Sequence, residues 1–293
     1  MKGKIIINAF LRPKESVLQA NRLKEEFNKL GVEIEIVSNG FLRSMLVGDK
    51  IVTDLFDTDF CVFLDKDKYL SESLKKAGVR LFNRHDAIRV CDDKGRTCIA
   101  LSNSGVKIPD TIFGFLSYST EDIIPDNFAD QVINKLSLPV VVKESFGSMG
   151  KGVHLATTKD ELVSLMEKLK NTPHIYQKYI DYRVGTDVRL IAIGKKVVAV
   201  MERHNDIDFR SNVGQGGYGK KIDCDKEFIE TAQKCAEILG LDYCGVDLLY
   251  GKDGPIVCEV NSNAFFNEAE KVTGVNIANL YANYIIESVK NKV

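Results

Sequence analysis

No stretch of this 293-residue chain approaches the roughly 18 consecutive apolar residues that a membrane-crossing helix needs. Its opening segment, MKGKIIINAFLRPKES, holds only a short apolar run, too short for the core of a secretion signal. An excess of one charge is also lacking. The chain has 40 basic and 41 acidic residues, a net charge of −1, so no global field draws nucleic acid or an anionic membrane. A local basic cleft is still open to an anionic ligand. Cysteine is present but unpatterned: Cys61, Cys91, Cys98, Cys224, Cys235, Cys244 and Cys258 form no C-x-x-C pair, and several sit in apolar runs such as FCVFL and IVCEV. That argues against a zinc site and for free buried thiols in a cytoplasmic protein. His85, His154, His174 and His204 are scattered, and no Ser-His-Asp or Cys-His arrangement is evident. Only His204, beside Arg203, falls near other candidate residues.

What is there is ordinary globular composition, 44% hydrophobic and 28% charged, with length for two or three domains. The first third alternates strand and helix. KIIINAF, VEIEIVS, DFCVFLD and VRLFN read as strands. Between them, Val17, Leu18, Leu23, Phe27 and Leu30 recur at helical spacing up to a stop at Gly31, and SESLKKAG reads as a second helix. That order predicts a small doubly wound α/β domain with a parallel sheet. His85 to Ser104 reads as one or two helices, KIPDTIFG as extended, and LPVVVK and GVHLA as strands flanking a glycine loop. Thr158 and Glu161 make a capping box opening the helix ELVSLMEKLKN. HIYQKYI, DVRLIAIG, KKVVAVMERH, CGVDLLY and PIVCEVN then give strands, with helices expected over 226–239 and 275–289.

The glycine loop, KESFGSMGKG, is built for phosphate without being a Walker A loop. Lys151 is followed by Gly152 rather than Ser or Thr, and the next residues read as strand, so no helix N-terminus is on hand. Gly147, Gly150 and Gly152 let backbone N–H groups approach an anion, Ser145, Ser148 and Lys151 add donors, and Lys143 stands at the strand end. Taken alone the segment fits an ordinary hairpin turn equally well. A second constellation changes that balance. In GVDLLYGKDGPIVCEVN, Glu259 and Asn261 share one strand face, and Asp247 on the neighbouring strand comes opposite them. Two carboxylates and an amide oxygen make a hard-cation site suited to magnesium, the alternative being a structural salt bridge. Arg189, Arg203 and Arg210 punctuate the strands and loop between these blocks, where they suit either an anion site or solvated surface.

At these residues the sequence resembles the ATP-grasp superfamily, and within it the RimK-like amino-acid ligases. The matching blocks are CDDK, VVVKESFGSMGKGV, QKYI, GTDVRLIAIG, DFRSNVGQGG, CGVDLL and CEVN, in order, over about residues 87–289. The resemblance implies an α/β and α+β chain: an ATP-grasp fold preceded by a small parallel-sheet α/β domain. The implied units are a head over 1–86, a central subdomain with the glycine lid over 87–176, and a metal-holding subdomain over 177–293. It implies that Lys94 and Lys143 contact ATP phosphates, and that the loop from Ser145 to Gly152 closes over them. Gln177, Lys178, Tyr179 and Ile180 would meet adenine, and Asp187 the ribose. Arg210, Ser211 and Asn212 would lie at the γ-phosphate, and Arg203 near the acyl acceptor. Asp247, Glu259 and Asn261 would hold a pair of Mg2+ ions, or Mn2+. Lys178 stands where many relatives carry Glu, and SNAFFNE replaces the usual small-residue turn after the metal strand.

The expected activity is an ATP-dependent, ADP-forming ligation of a carboxylate to an amino acid through an acyl phosphate. Glutamate is the first candidate for the amino acid, and a peptide, protein C-terminus or small acid for the acceptor. Nucleic acid and membrane are not expected partners, and a homo-oligomer is left open. The alternatives are a carrier-protein or small-molecule ligase, a peptide macrocyclase, and a regulatory protein that binds ATP without turnover. A basic surface from Arg12, Lys14, Arg43 and Lys50 would favour the carrier-protein reading.

Overall fold

The computed structural model describes residues 1–10, 14–211 and 216–291. The chain opens with β1 (Lys2–Ile7), α1 (Lys14–Lys29) and β2 (Glu33–Ser38). A hairpin of β3 (Ser44–Val47) and β4 (Lys50–Thr53) follows, then β5 (Phe60–Leu64), α2 (Lys68–Lys76) and β6 (Leu81–Phe82). The sheet order is β2-β1-β5-β6, every pairing parallel, as the strand–helix alternation predicts. β5 reads FCVFL because all five of its residues are buried, as a central strand covered on both faces must be. Gly31 ends α1 at φ 74°, a left-handed conformation natural to glycine. The β3–β4 hairpin carries no burial signal: Leu46, Val47 and Val52 are exposed, and the sequence reading passed over it. Arg43 is ion-paired with Asp54 at 2.6 Å, and Arg12 lies outside the described residues.

Two short helices, α3 (His85–Cys91) and α4 (Lys94–Leu101), lead into β7 (Thr111–Phe113), α5 (Phe128–Leu136) and β8 (Val140–Glu144). β9 (Val153–Ala156), α6 (Lys159–Leu169) and β10 (His174–Lys178) complete an antiparallel sheet in the order β7-β10-β8-β9. The capping box is present: Glu161 N donates to Thr158 Oγ1 and the Glu161 carboxylate accepts from Thr158 N. This sheet has its own core, from Ala129 and Val132 to Met166 and Tyr176.

The remaining elements are β11 (Thr186–Ile193), β12 (Lys196–His204), β13 (Tyr218–Lys221), α7 (Lys226–Leu239), β14 (Tyr243–Gly251), β15 (Gly254–Asn261), α8 (Asn267–Thr273) and α9 (Ile277–Lys290). Their antiparallel sheet runs β13-β12-β11-β14-β15. One face packs on α7, α3 and α4, in a cluster holding Val188, Val246 and Ala232 with Ala87, Cys91 and Leu101. On the other side a second cluster joins Ile5, Phe27 and Phe60 of the head to Ile191, Tyr281 and Ile285. Asn83 stitches this junction further. Its amide donates to Tyr243 O and Ser262 O at 2.7 Å each and accepts from Asp242 N and Tyr243 N. All seven cysteines are free. Among the described residues no helix is long and apolar enough to cross a membrane.

Candidate active site

The glycine loop joins β8 to β9, which pair antiparallel with Lys143 opposite Val153. It is a hairpin tip, and the sequence reading of strand rather than helix after Gly152 holds. Gly152 sits at φ 73°, which strains any other residue, and an added Cβ would meet the Glu144 carboxyl carbon at 2.8 Å, so Glu144 would have to shift. Lys143 is only 7% exposed and reaches across to the last sheet, its Nζ 3.8 Å from Cys258 Sγ. Lys94 arrives from the N-terminus of α4, where Asp93 caps the helix by accepting from Arg96 N. The Lys94 ammonium donates to Gly147 O at 3.2 Å and lies 3.6 Å from Glu259 Oε1. The flap and the carboxylate strand therefore face each other across one cleft, with two lysines between them.

The far wall is a row of charge written across adjacent strands. Register places Asp187 opposite Arg203, Arg189 opposite Asp247, and Asp247 opposite Glu259, so all five project from one sheet face. Arg203 grips both Asp187 oxygens and also reaches Asp247 Oδ2 at 3.0 Å. Arg189 holds Asp247 as a fork, Nε to Oδ1 at 2.7 Å and Nη2 to Oδ2 at 2.6 Å. Burial raises the Asp247 carboxyl, but the two guanidinium groups outweigh it and hold it below the ordinary carboxylate range. The same pairing keeps buried Arg203 charged, against desolvation. The β14–β15 register slips after Asp247, because Val257 pairs with Leu248 and leaves Cys258 as the extra residue.

Arg210 closes the mouth. It is paired with Asp208 at 2.6 Å and donates to Gly150 O at 3.0 Å, and so ties the loop after β12 to the glycine flap. Phe209 beside it meets the Tyr179 ring edge-on, centroids 6.2 Å apart. Gln177 is buried. Its Nε2 donates to Thr111 Oγ1 at 3.0 Å, whereas Oε1 has no partner among the described residues. A buried acceptor of that kind suits an amino group on a flat ring.

The cleft gathers Lys94, Lys143, Gly150, Asp187, Arg203 and Arg210, with Gln177, Lys178, Tyr179, Ile180 and Ser211, and is closed by Asp247 and Glu259. Ser148 and Asn261 line a second cavity next to it, shared through Glu259 and bordered by Asn8 and Lys66 of the head. Ser145 is buried and used through its backbone, accepting from Lys94 N and donating to Pro173 O. Lys151 is exposed, and neither it nor Gly147 and Gly152 lines the cleft, whereas Asn212 lies outside the described residues. The sequence reading missed the apolar walls. Val141, two before Lys143, and Leu249, two after Asp247, share those residues' strand faces, so a two-residue step from each candidate would have found them. His204 is hydrogen-bonded to Glu202 at 2.6 Å and does not line the cleft.

The donor chemistry suits both groups that the resemblance implies. Two lysines and an arginine against backbone-rich glycine turns fit a triphosphate. Glu259 and Asn261 offer oxygen to a hard cation, and Asp247 stands beside them with its oxygens engaged by arginine.

Comparison with known proteins accords with this geometry. Residues 91–285 match the model of the RimK-like ATP-grasp domain. A probable alpha-L-glutamate ligase of Maridesulfovibrio salexigens is 36% identical over 211 residues, 71% of this chain and 67% of that protein. Human beta-citrylglutamate synthase B is also 36% identical, over 75% of this chain but 56% of its own length. Among solved structures, D-alanine–D-alanine ligase from Bacillus anthracis in complex with ATP shares the fold at a TM-score of 0.76, with 20% identity over 99% of this chain and 98% of that one. A RimK domain ATP-grasp protein from Sphaerobacter thermophilus does so at 0.72, with 20% identity over 98% of this chain and all of that one. The chain belongs to the RimK-like family of ATP-grasp carboxylate–amine ligases.

Proposed function

We propose that the protein activates a carboxylic acid with ATP as an acyl phosphate and passes the acyl group to the amine of an amino acid, with glutamate the first candidate. A carboxylate oxygen attacks the γ-phosphorus and ADP leaves; the amine nitrogen then attacks the acyl carbon and phosphate leaves with that oxygen. Lys94 and Lys143 would draw the phosphates into line, and Arg210 would take up charge on the group in transfer. Asp247, Glu259 and Asn261 would hold magnesium, which when bound neutralises the phosphates. The glycine flap would keep water from the acyl phosphate. Gln177 would accept from the adenine amino group, with Tyr179, Ile180 and Phe209 around the ring, and Asp187 would lie toward the ribose.

The observation that carries this reading is the convergence of Lys94, Lys143 and Arg210 on one cleft opposite Glu259. Relatives named for glutamate ligation and for citrylglutamate synthesis support glutamate as the amine. The test is a panel of acids (citrate, N-acetylaspartate, short peptides) with amino acids, ATP and Mg2+, read by mass spectrometry and ADP release. A product heavier than the acid by glutamate less water, one ADP per bond, is expected. ATP binding with no turnover across the panel defeats the reading and favours a regulatory ATP binder.

A further inference from the structure

Arg189 stands at the boundary of two cavities. Its guanidinium holds the Asp247 carboxylate by two hydrogen bonds, while the same side chain lines the second cavity with Asn8, Lys66, Glu259 and Asn261. Asp247 has little left to give a cation. A carboxylate offers about four acceptor positions. Three are taken, two by Arg189 and one by Arg203. The last, on Oδ1, lies beside the Arg189 Nε cation, where a divalent ion would be repelled. The quartet of buried Asp187, Arg203 and Asp247 with partly buried Arg189 is neutral by itself, and Lys94 sets its charge against Glu259. These six side chains therefore sum to no net negative charge; the half-buried Glu268 of α8 faces Arg203 and Arg189, and burial raises its carboxyl.

Of the two arginines only one can let go. Arg203 is 2% exposed and fixed by both Asp187 oxygens as well as by Asp247. Among the described residues Arg189 is ion-paired with Asp247 alone, with Glu268 facing it outside ion-pair distance and open cavity beside it. We propose that Arg189 is a two-position residue: it occupies Asp247 until a cation arriving with the nucleotide takes that carboxylate, and then swings into the neighbouring cavity to hold the carboxylate of the acid substrate. Cation–nucleotide and acid then bind with positive cooperativity, and the acid is held only once the phosphoryl donor is in place. The acid's part in this rests on the ligase reading above; the exchange at Asp247 does not.

The experiment is a titration of the whole protein with Mn2+, free ion read by electron paramagnetic resonance, for wild type, Arg189→Gln and Arg189→Lys, each with and without the non-hydrolysable analogue AMPPNP. Arg203 still pairs with Asp247 in both variants, which keeps the buried carboxylate compensated. Without nucleotide, Arg189→Gln is expected to take up Mn2+ at least tenfold more tightly than wild type, and Arg189→Lys, which keeps the charge, to behave as wild type. Equal Mn2+ affinity in wild type and Arg189→Gln overturns the proposal. With 15N-labelled arginine, the Arg189 Nε resonance, identified by its loss in Arg189→Lys, should move when Mg–AMPPNP is added; an unmoved resonance overturns it too. In turnover, Arg189→Gln should raise KM for the acid at least tenfold while KM for Mg–ATP does not rise, and an unchanged acid KM removes the second position. If no acid and amine react at all, the ligase reading fails, and the Mn2+ titration still decides the exchange.

Discussion

The ammonium of Lys68, in the first turn of the head's second helix, lies 3.5 Å from the centroid of the Phe146 ring at the tip of the glycine flap. Lys68 is also 3.4 Å from Asp92, which pairs with Lys66 at 3.0 Å, so the cation is held in place over the ring. The flap thus rests on the head as well as on Arg210. A cation–π contact that is partly exposed contributes about 0.5–1 kcal/mol. Phe146→Ala should loosen the closed flap by that much, raising KM for ATP roughly two- to fivefold. It should also let more acyl phosphate be lost to water, measured as phosphate released per amide formed. A ratio that stays at one would show that the flap closes without this contact.

Arg210→Ala removes the guanidinium that spans Asp208 and Gly150 O and that would face the group in transfer. Loss of one such donor costs about 3 kcal/mol, or about a hundredfold in kcat. Because the side chain sits at the cleft mouth rather than in a core cluster, the melting temperature should change little. Steady-state kinetics beside a thermal melt separates the two effects.

Gly152→Ala places a methyl group 2.8 Å from the Glu144 carboxyl carbon, on a residue at φ 73°. The strained backbone alone costs about 1–2 kcal/mol. The hairpin end would be displaced, and with it Lys143, whose strand it closes. Nucleotide affinity should fall several-fold, by calorimetric titration with AMPPNP. Pairing the change with Glu144→Ala, which frees the space, should recover part of it.

Glu26 of α1 ties the head to the closing helix. It accepts from Asn279 at 3.0 Å and pairs with Arg22 and Lys29, and Arg22 goes on to Glu270. Burial raises its carboxyl, but Lys29, Asn279 and Arg22 outweigh that and hold it down at about 2, from an ordinary 4.5. A folded value below the unfolded one stabilises the fold above about pH 4.5, and that stability is lost as pH falls toward 2. Glu26→Gln should be less stable than wild type at pH 7 and should show a shallower loss between those values. Urea melts at a series of pH values check this, and parallel curves for the two proteins would contradict it.

Fold and site were legible to different depths. A strand such as FCVFL announces itself because burial on both faces requires an unbroken apolar run. The glycine flap and the D…E-x-N strands were legible because local spacing decides which side chains share a face. The exposed β3–β4 hairpin, the short α8 and the edge strand β13 carry weak periodicity and went unread. So did α5, which lies between the extended KIPDTIFG and the strand LPVVVK. Arg203 shows the deeper limit. It was expected near the acceptor and does line the cleft, but the cross-strand register that pairs it with Asp187 and sets it against Asp247 gives it partners 16 and 44 positions away that no local pattern reveals. Asn83 is similar: a lone polar residue after an apolar strand, whose four backbone bonds exist only once the last sheet has folded against it.

The core that runs unbroken from the first strand to the last helix has a mechanical consequence. Ile5, Phe60, Tyr281 and Ile285 belong to one cluster, whereas the flap-bearing sheet has a core of its own with α5 and α6, so the two stand as anvil and hammer, touching at α4 and at the Lys68–Phe146 contact. Opening the nucleotide cleft need break no apolar packing within the anvil; it parts the ties at Lys94, Lys143 and Arg210, the Lys68–Phe146 contact and the Tyr179–Phe209 ring pair. Grafting the flap sheet of a relative onto this chain should therefore alter how fast nucleotide enters and leaves while the choice of acid stays with the anvil.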